Sequence, residues 1–331
     1  MKAILYEKQA GQHHLSLHEI SKPVQTADQV LVKIHATALN AADYRSMRMG
    51  LIPKSRIFGA DIAGQIAEVG SEVSEFTVGE RVFGDILAAG SGGLAEYVAV
   101  PARYLARIPA EVSYTDAASL PIAAITALQG LREIGGIAPG KKVLIYGAAG
   151  GVGTFAVQLA RHFGAEVSAV CSTRNLELVR SLGAVRVYDY TREDFAAAGT
   201  RYDLILAVNG SRSLRDYLRS LNAGGVLAVA GGSLSQLFGN MIFGPLLSLG
   251  SRKLRTVAAK PDRSSLEFLA GLVAEGSLKP VIDRIIPLEE APEAMLEISK
   301  GHSRGKVLVR ISQEQIVSIF LRSRSDSTRT T

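Results

Sequence analysis

The sequence predicts an α/β protein with two lobes, a barrel-like β domain and a doubly wound parallel sheet. Three observations carry that reading. The 331 residues suit about two domains at ~150 residues each. The first hundred residues break into short strands between glycine and polar turns. Beyond residue 115 strands and helices alternate at the lengths of βαβ units.

In the first lobe, Val30–Ala36, Ile62–Val69, Arg81–Ile86 and Leu94–Val100 read as strands, each flanked by turn residues. Thr115–Leu120 and Ile122–Ile134 read as helices, with Pro121 as punctuation. Lys142–Tyr146 is a short apolar strand, followed by a glycine cluster and a helix over Phe155–Arg161. Strand Glu166–Cys171, helix Leu176–Leu182, strand Asp203–Val208, helix Ser213–Leu221 and strand Gly225–Ala230 continue the alternation. Helix Ser264–Glu275, strand Arg284–Pro287, helix Glu289–Lys300 and strand Lys306–Ile311 complete the pattern. Ser, Thr and Arg dominate after Leu321, so residues 313–331 are expected to form a flexible tail.

Composition excludes several classes. Hydrophobic residues make up 47% and charged residues 21%, an ordinary globular mix. The net charge of +6 is spread along the chain without dense basic blocks, which argues against a nucleic-acid partner. The lone cysteine, Cys171, rules out an internal disulfide framework and a multi-cysteine metal cluster. No apolar run reaches the ~20 residues of a membrane span, and an early charge interrupts any secretory h-region. A cytoplasmic protein is expected.

The turn Gly147-Ala148-Ala149-Gly150-Gly151-Val152-Gly153 lies between strand and helix. There, backbone N–H groups and the helix dipole attract a pyrophosphate, and glycine lets the ligand approach. A purely structural tight turn is the alternative. The next strand ends in Cys171-Ser172-Thr173-Arg174-Asn175. An acid at that end would bond an NAD ribose, whereas Ser172, Thr173 and Arg174 suit a 2′-phosphate, so NADPH is the expected cofactor. These residues could equally cap the helix that follows.

Together these segments resemble the medium-chain dehydrogenase/reductase superfamily, in its zinc-independent quinone oxidoreductase (zeta-crystallin-like) branch. The resemblance spans roughly residues 1–312. It rests on Asn40-Ala41-Ala42-Asp43, Gly59-Ala60-Asp61-Ile62-Ala63-Gly64, Gly79–Gly84, Gly93–Val98 and Ala118–Pro121 with Thr126-Ala127. The Ala149–Gly153 turn and His302-Ser303-Arg304-Gly305-Lys306-Val307 complete the set in the family's order. The family likeness implies a GroES-like catalytic domain from residues 1–121 and 262–312, and a Rossmann NADP-binding domain at 122–261. It also implies a homodimer joined through an edge strand at Arg252–Val257.

Zinc-dependent relatives carry a cysteine near Asn40 and Gly-His-Glu where this chain has Gly59-Ala60-Asp61, so no metal site is expected. Without a Lewis acid, a conjugated acceptor that spreads incoming charge is the better substrate: a quinone, enone or alkenal. By resemblance, Asn40 and Asp43 organise the acceptor, with Tyr44 beside them, and Thr126 holds the carboxamide. Family members often place tyrosine two residues after the aspartate; here that residue is Arg45, and the stretch to Gly50 is one residue longer. Structurally, Asn40 could cap a helix and Asp43 could pair with an arginine. The expected cofactor contacts are Ala149, Gly150, Gly151, Val152, Gly153, Ser172, Thr173 and Arg174, to which the resemblance adds Tyr190, Asn209, Gly231, Gly232 and Lys306. Leu237–Phe243 reads as an apolar flap or dimer surface. An enoyl-thioester reductase, or a non-enzymatic NADPH-binding sensor or scaffold, is the competing expectation.

Overall fold

The computed structural model describes residues 1–9, 12–208, 212–231, 251–301 and 303–312. Asn209, Gly232, the Leu237–Phe243 segment, His302 and the 313–331 tail lie outside the described residues.

The chain opens with an antiparallel hairpin of β1 (Lys2–Gln9) and β2 (Gln12–Glu19). The first-lobe sheet takes β3 (Gln29–Leu39), β4 (Asp61–Val69), β5 (Arg81–Asp85), β6 (Tyr97–Pro101) and β7 (Leu105–Arg107). Helix α1 (Ala41–Arg48) leaves the end of β3. Val30, Val32 and Ile34 alternate onto one face and pack with Ile62, Ile66 and Val82. The strand read from Leu94 begins instead at Tyr97, because Leu94 donates its N–H to Phe58 and accepts from Ile4, outside the ladder.

Helix α2 (Tyr114–Ser119) starts where the Ser113 hydroxyl accepts the Asp116 N–H. Helix α3 (Pro121–Gln129) has Pro121 in its first turn, where a missing N–H is harmless. The helix expected to reach Ile134 changes at Gly130 into a π turn over Gly130–Ile134, and the Gly135 N–H reaches back to the Gly130 carbonyl. A Cβ on Gly130 would lie 2.9 Å from Leu206, so this turn packs onto the second sheet through a glycine.

The second sheet alternates β8 (Lys142–Tyr146), α4 (Gly151–His162), β9 (Glu166–Cys171), α5 (Leu176–Ser181), β10 (Arg186–Asp189) and β11 (Tyr202–Ala207). Helix α6 (Leu214–Arg219), β12 (Leu221–Val229) and β13 (Lys253–Thr256) follow. Its six strands are all parallel, in the order β10-β9-β8-β11-β12-β13. That is the 3-2-1-4-5-6 order of a doubly wound nucleotide-binding sheet, whose crevice opens where the order reverses between β8 and β11. The fully apolar strands Val143–Ile145 and Leu204–Ala207 fit burial on both faces.

The chain then returns through α7 (Arg263–Ala274), capped by Asp262, to β14 (Ile282–Pro287), α8 (Ala291–Ile298) and β15 (Lys306–Arg310). Strand β15 pairs antiparallel with β3, so the last described strands complete the first-lobe sheet. The architecture is the expected one, a barrel-like β lobe beside a doubly wound α/β lobe.

Candidate active site

Five buried polar side chains meet where the first-lobe sheet faces the glycine turn. Asn40 ends β3 in extended backbone and stands at the N-cap of α1. One helical turn on, the Asp43 carboxylate accepts the Asn40 N–H at 3.0 Å and the Gly59 N–H at 3.2 Å. Those bonds hold Asp43 without an arginine. Asn40 Nδ2 donates to Asp61 Oδ2 at 2.9 Å, and its Oδ1 accepts from Lys306 Nζ at 2.6 Å. Lys306 Nζ also lies 3.2 Å from Asp61 Oδ2, while Asp61 Oδ1 accepts the Ile122 N–H. Asp85 faces Asp61 directly across the β4–β5 ladder and accepts the Leu87 N–H at 2.9 Å.

Three carboxyls therefore share one ammonium in a site that is buried except where Asp43 meets the cavity. Burial, then the neighbouring Asp61, pushes Asp43 up to about 7. Burial, with Asp61 and Asp43 adding repulsion, pushes Asp85 up to about 7 as well. Burial also raises Asp61, against the pull of Lys306, Asn40 and Ile122. Asp43 forms part of the wall of a cavity of about 300 Å³ together with Ser46, Leu51, Phe58, Leu87 and Ser91.

The structure brings Asn40, Asp43 and Lys306 together as one network. Lys306, expected among the cofactor contacts, directs its ammonium to Asn40 and Asp61, while its alkyl chain lies beside Gly151. Tyr44 is not brought to the cavity wall. It packs against the apolar cluster of Met47, Leu94 and Met295, and its hydroxyl lies 3.1 Å from Arg48. Asp61 and Asp85 were not among the residues singled out from sequence, although Asp61 stands in the Gly59–Gly64 motif.

The glycine turn has the shape a pyrophosphate requires. Gly150 at the N-cap of α4 offers no side-chain cap, and the helix N-terminus there favours an anion. A Cβ on Gly153 would fall 2.2 Å from the Gly147 carbonyl oxygen, and one on Gly231 would fall 2.1 Å from that of Val208. Gly150 and Gly151 meet no backbone so closely, which leaves their face of the turn for a ligand. Thr126 is buried in α3 and donates its hydroxyl to the Ile122 carbonyl, keeping an acceptor lone pair.

At the end of β9, Ser172, Thr173, Arg174 and Tyr190 gather around one corner, with the Tyr190 N–H bonded to the Cys171 carbonyl. Asn175 donates to the Ser172 hydroxyl, so part of this group also organises the entry to α5. An acid does reach the corner, from the neighbouring strand. Asp189, paired with Cys171 in the β9–β10 register, accepts from Thr173 Oγ1 at 2.5 Å and from the N–H and hydroxyl of Thr191. Those hydrogen bonds hold its carboxyl below the usual range, so it is ionised.

Fold and site define a two-lobed nucleotide-dependent oxidoreductase, and comparison with known proteins agrees. The alcohol dehydrogenase GroES-like domain matches residues 26–110, and the zinc-binding dehydrogenase domain matches residues 182–309. A chloroplast envelope quinone oxidoreductase homolog of Arabidopsis thaliana is 33% identical over 325 residues, 93% of this chain and 98% of that protein. A 2-methylene-furan-3-one reductase of Solanum lycopersicum is 34% identical, covering 93% of this chain and 79% of that protein. The quinone oxidoreductase from Coxiella burnetii superposes with a TM-score of 0.84 at 29% identity, over 94% of this chain and 99% of that one. The yhdH oxidoreductase from Salmonella enterica, solved with NADP, superposes with a TM-score of 0.77 at 27% identity, over 94% and 100%. The chain belongs to the medium-chain dehydrogenase/reductase superfamily, in its quinone oxidoreductase branch.

The donor set does not fit the zinc that one matched family description implies. Among the described residues no three His, Cys, Asp or Glu side chains are grouped to hold a metal ion. The Asp43–Asp61–Asp85 group is already served by the Lys306 ammonium and by backbone N–H donors, and it lacks the imidazole or thiolate that zinc favours.

Proposed function

We propose that this chain is a zinc-independent, NADPH-dependent reductase of quinones and activated alkenes. One observation carries the reading: the buried Asn40–Asp43–Asp61–Lys306 network stands between an acceptor-sized cavity and a glycine turn shaped for pyrophosphate. The names of the relatives, quinone oxidoreductase and furanone reductase, support it.

When bound, the nicotinamide supplies a hydride, and the protein's own groups do the rest. The α4 N-terminus would hold the pyrophosphate, and Gly231 would let backbone come close at the nicotinamide end. Thr126 would accept from the carboxamide. Ser172, Thr173, Arg174 and Tyr190 would receive the adenosine 2′-phosphate, each charge-assisted bond contributing roughly 1.5–3 kcal/mol. Phe58, Leu51 and Leu87 give the acceptor an apolar wall. A quinone or enone delocalises the incoming charge over its π-system, so positioning and nearby donors replace the Lewis acid.

The reading includes a homodimer formed through β13, the edge strand of the second sheet among the described residues. It also includes a cytoplasmic setting, supported by the single, unpaired Cys171. Among the described residues no helix is long and apolar enough to cross a membrane.

Steady-state NADPH oxidation with benzoquinone, 1,2-naphthoquinone, an alkenal and a crotonyl thioester tests the proposal. Turnover with the quinones or alkenal is expected. Turnover with the thioester alone would move the substrate class to enoyl thioesters. A flat trace with every acceptor, from protein shown by calorimetry to bind NADPH, would overturn the enzyme reading in favour of a nucleotide-binding sensor.

A further inference from the structure

We propose that Asp43 delivers the proton that completes reduction of the acceptor, and that Asp61 and Asp85 form the buried acid group that keeps this proton in the site. The inference rests on the reductase reading above and supplies the proton donor that hydride transfer leaves unassigned.

Geometry sets up the group. Asp43 comes from α1, Asp61 is the first residue of β4 and Asp85 the last of β5, placed opposite Asp61 by the ladder. Their exposures are 1%, 0% and 7%. The charged groups facing Asp43 are Asp61 and Lys306, and those facing Asp85 are Asp61, Asp43 and Lys306. Three carboxylates against one ammonium would leave two uncompensated negative charges away from water. Buried sites avoid that state by keeping protons. Asp61 is the carboxylate of the three, because it alone accepts from the Lys306 ammonium, with Asn40 and the Ile122 N–H as further donors. The retained protons therefore reside on Asp43 and Asp85, consistent with both being pushed up to about 7. Only Asp43 belongs to the cavity wall. Asp85 stands behind Leu87, which does line the cavity, and holds its N–H.

The step balances. Hydride addition places two electrons on the acceptor and leaves an enolate or hydroquinone oxyanion. The Asp43 O–H bond breaks, its proton forms the new O–H bond, and the Asp43 carboxylate remains. A solvent proton entering through the cavity restores the acid. The sum is acceptor plus NADPH plus one proton giving reduced acceptor plus NADP⁺.

Asp43→Asn is the informative change. Its amide oxygen can still accept the Gly59 N–H, while the transferable proton is gone. At about pH 6 kcat is expected to fall at least about a hundredfold, and the alkaline fall in kcat of the parent enzyme is expected to disappear. NADPH affinity by calorimetry is expected to be unchanged. A second reading needs no turnover: ¹³C NMR of the cofactor-free protein should show two aspartate carboxyls titrating near neutrality, and one in the variant. A variant that keeps the parent kcat and its alkaline limb, or a working enzyme in which no aspartate titrates above about pH 5, overturns the proton role and leaves the reductase intact. Protein that binds NADPH but reduces no acceptor overturns both.

Discussion

Lys306 carries a positive charge into a site where its side chain is 3% exposed, and Asn40 and Asp61 take its hydrogens. Removing the ammonium leaves Asp61 as an unpaired buried carboxyl. Lys306→Met should therefore destabilise by about 3–5 kcal/mol. Because acid can neutralise Asp61, the loss in Tm should be smaller at pH 5.5 than at pH 8. The raised carboxyls of Asp43 and Asp85 make a related prediction. Their folded forms hold protons up to about 7, whereas the unfolded chain releases them near 3.8. Folding thus favours the protonated state, and stability falls as pH rises through 7. Thermal melts of the cofactor-free protein should show Tm declining between pH 5.5 and 8. Asp85→Asn should flatten that decline by about 2–4 °C. At the corner of β9, Arg174→Ala should weaken NADPH binding roughly tenfold or more by calorimetry, with NADH unchanged. Of these residues, Asn40, Asp43 and Lys306 were legible because they stand in recognisable motifs. Asp85 was not, since only the β4–β5 register places it opposite Asp61. Asp189 was hidden for the same reason: it reaches the Thr173 corner from a different strand than the one sequence spacing inspects.

The strand–turn–helix of β8 and α4 shows how an element can be read from sequence and still need geometry to rank its residues. All of Ala149–Gly153 looked alike as cofactor contacts, but the turn treats them differently. Gly153 sits where any Cβ would strike the Gly147 carbonyl, so Gly153→Ala must displace the turn itself. NADPH affinity should drop by at least about tenfold, with far-UV circular dichroism unchanged. Gly150→Ala meets no atom closer than 3.7 Å, so its effect should be the smaller of the two in the same titration. Elements whose period is interrupted by packing were less legible. The helical run continues in sequence from α3 through Ile134, but Gly130 and Gly135 lie close against Leu206 and Leu204 where the helix becomes a π segment. That packing onto the second sheet is not visible in the sequence. Helix starts were more legible: α2, α3 and α7 begin within a residue of the starts expected at Thr115, Ile122 and Ser264.

For the whole molecule, alternation of strands and helices was enough to give the doubly wound sheet, and the strand order adds the location of its crevice. The dimer proposal is tested at this scale. The Val257 N–H bonds back to Val229, so the alternating Thr256 N–H faces the other side of β13. Thr256→Pro removes that donor and keeps the ladder to β12. Sedimentation equilibrium should report a monomer for the variant and a dimer for the parent, whereas a dimer in both would place the interface elsewhere.

The Gly305 N–H bonds to the Ala149 carbonyl of the glycine turn, and the next residue, Lys306, closes the acid network while β15 pairs with Leu39 and its neighbours on β3. During synthesis, then, β3 emerges long before the strand that covers its flank. At about 5–20 residues per second, the ribosome leaves that edge bare for on the order of tens of seconds. The first lobe reaches its final form only after the second has been made, so one short late strand finishes the barrel and sets the cofactor turn against the acids in a single event.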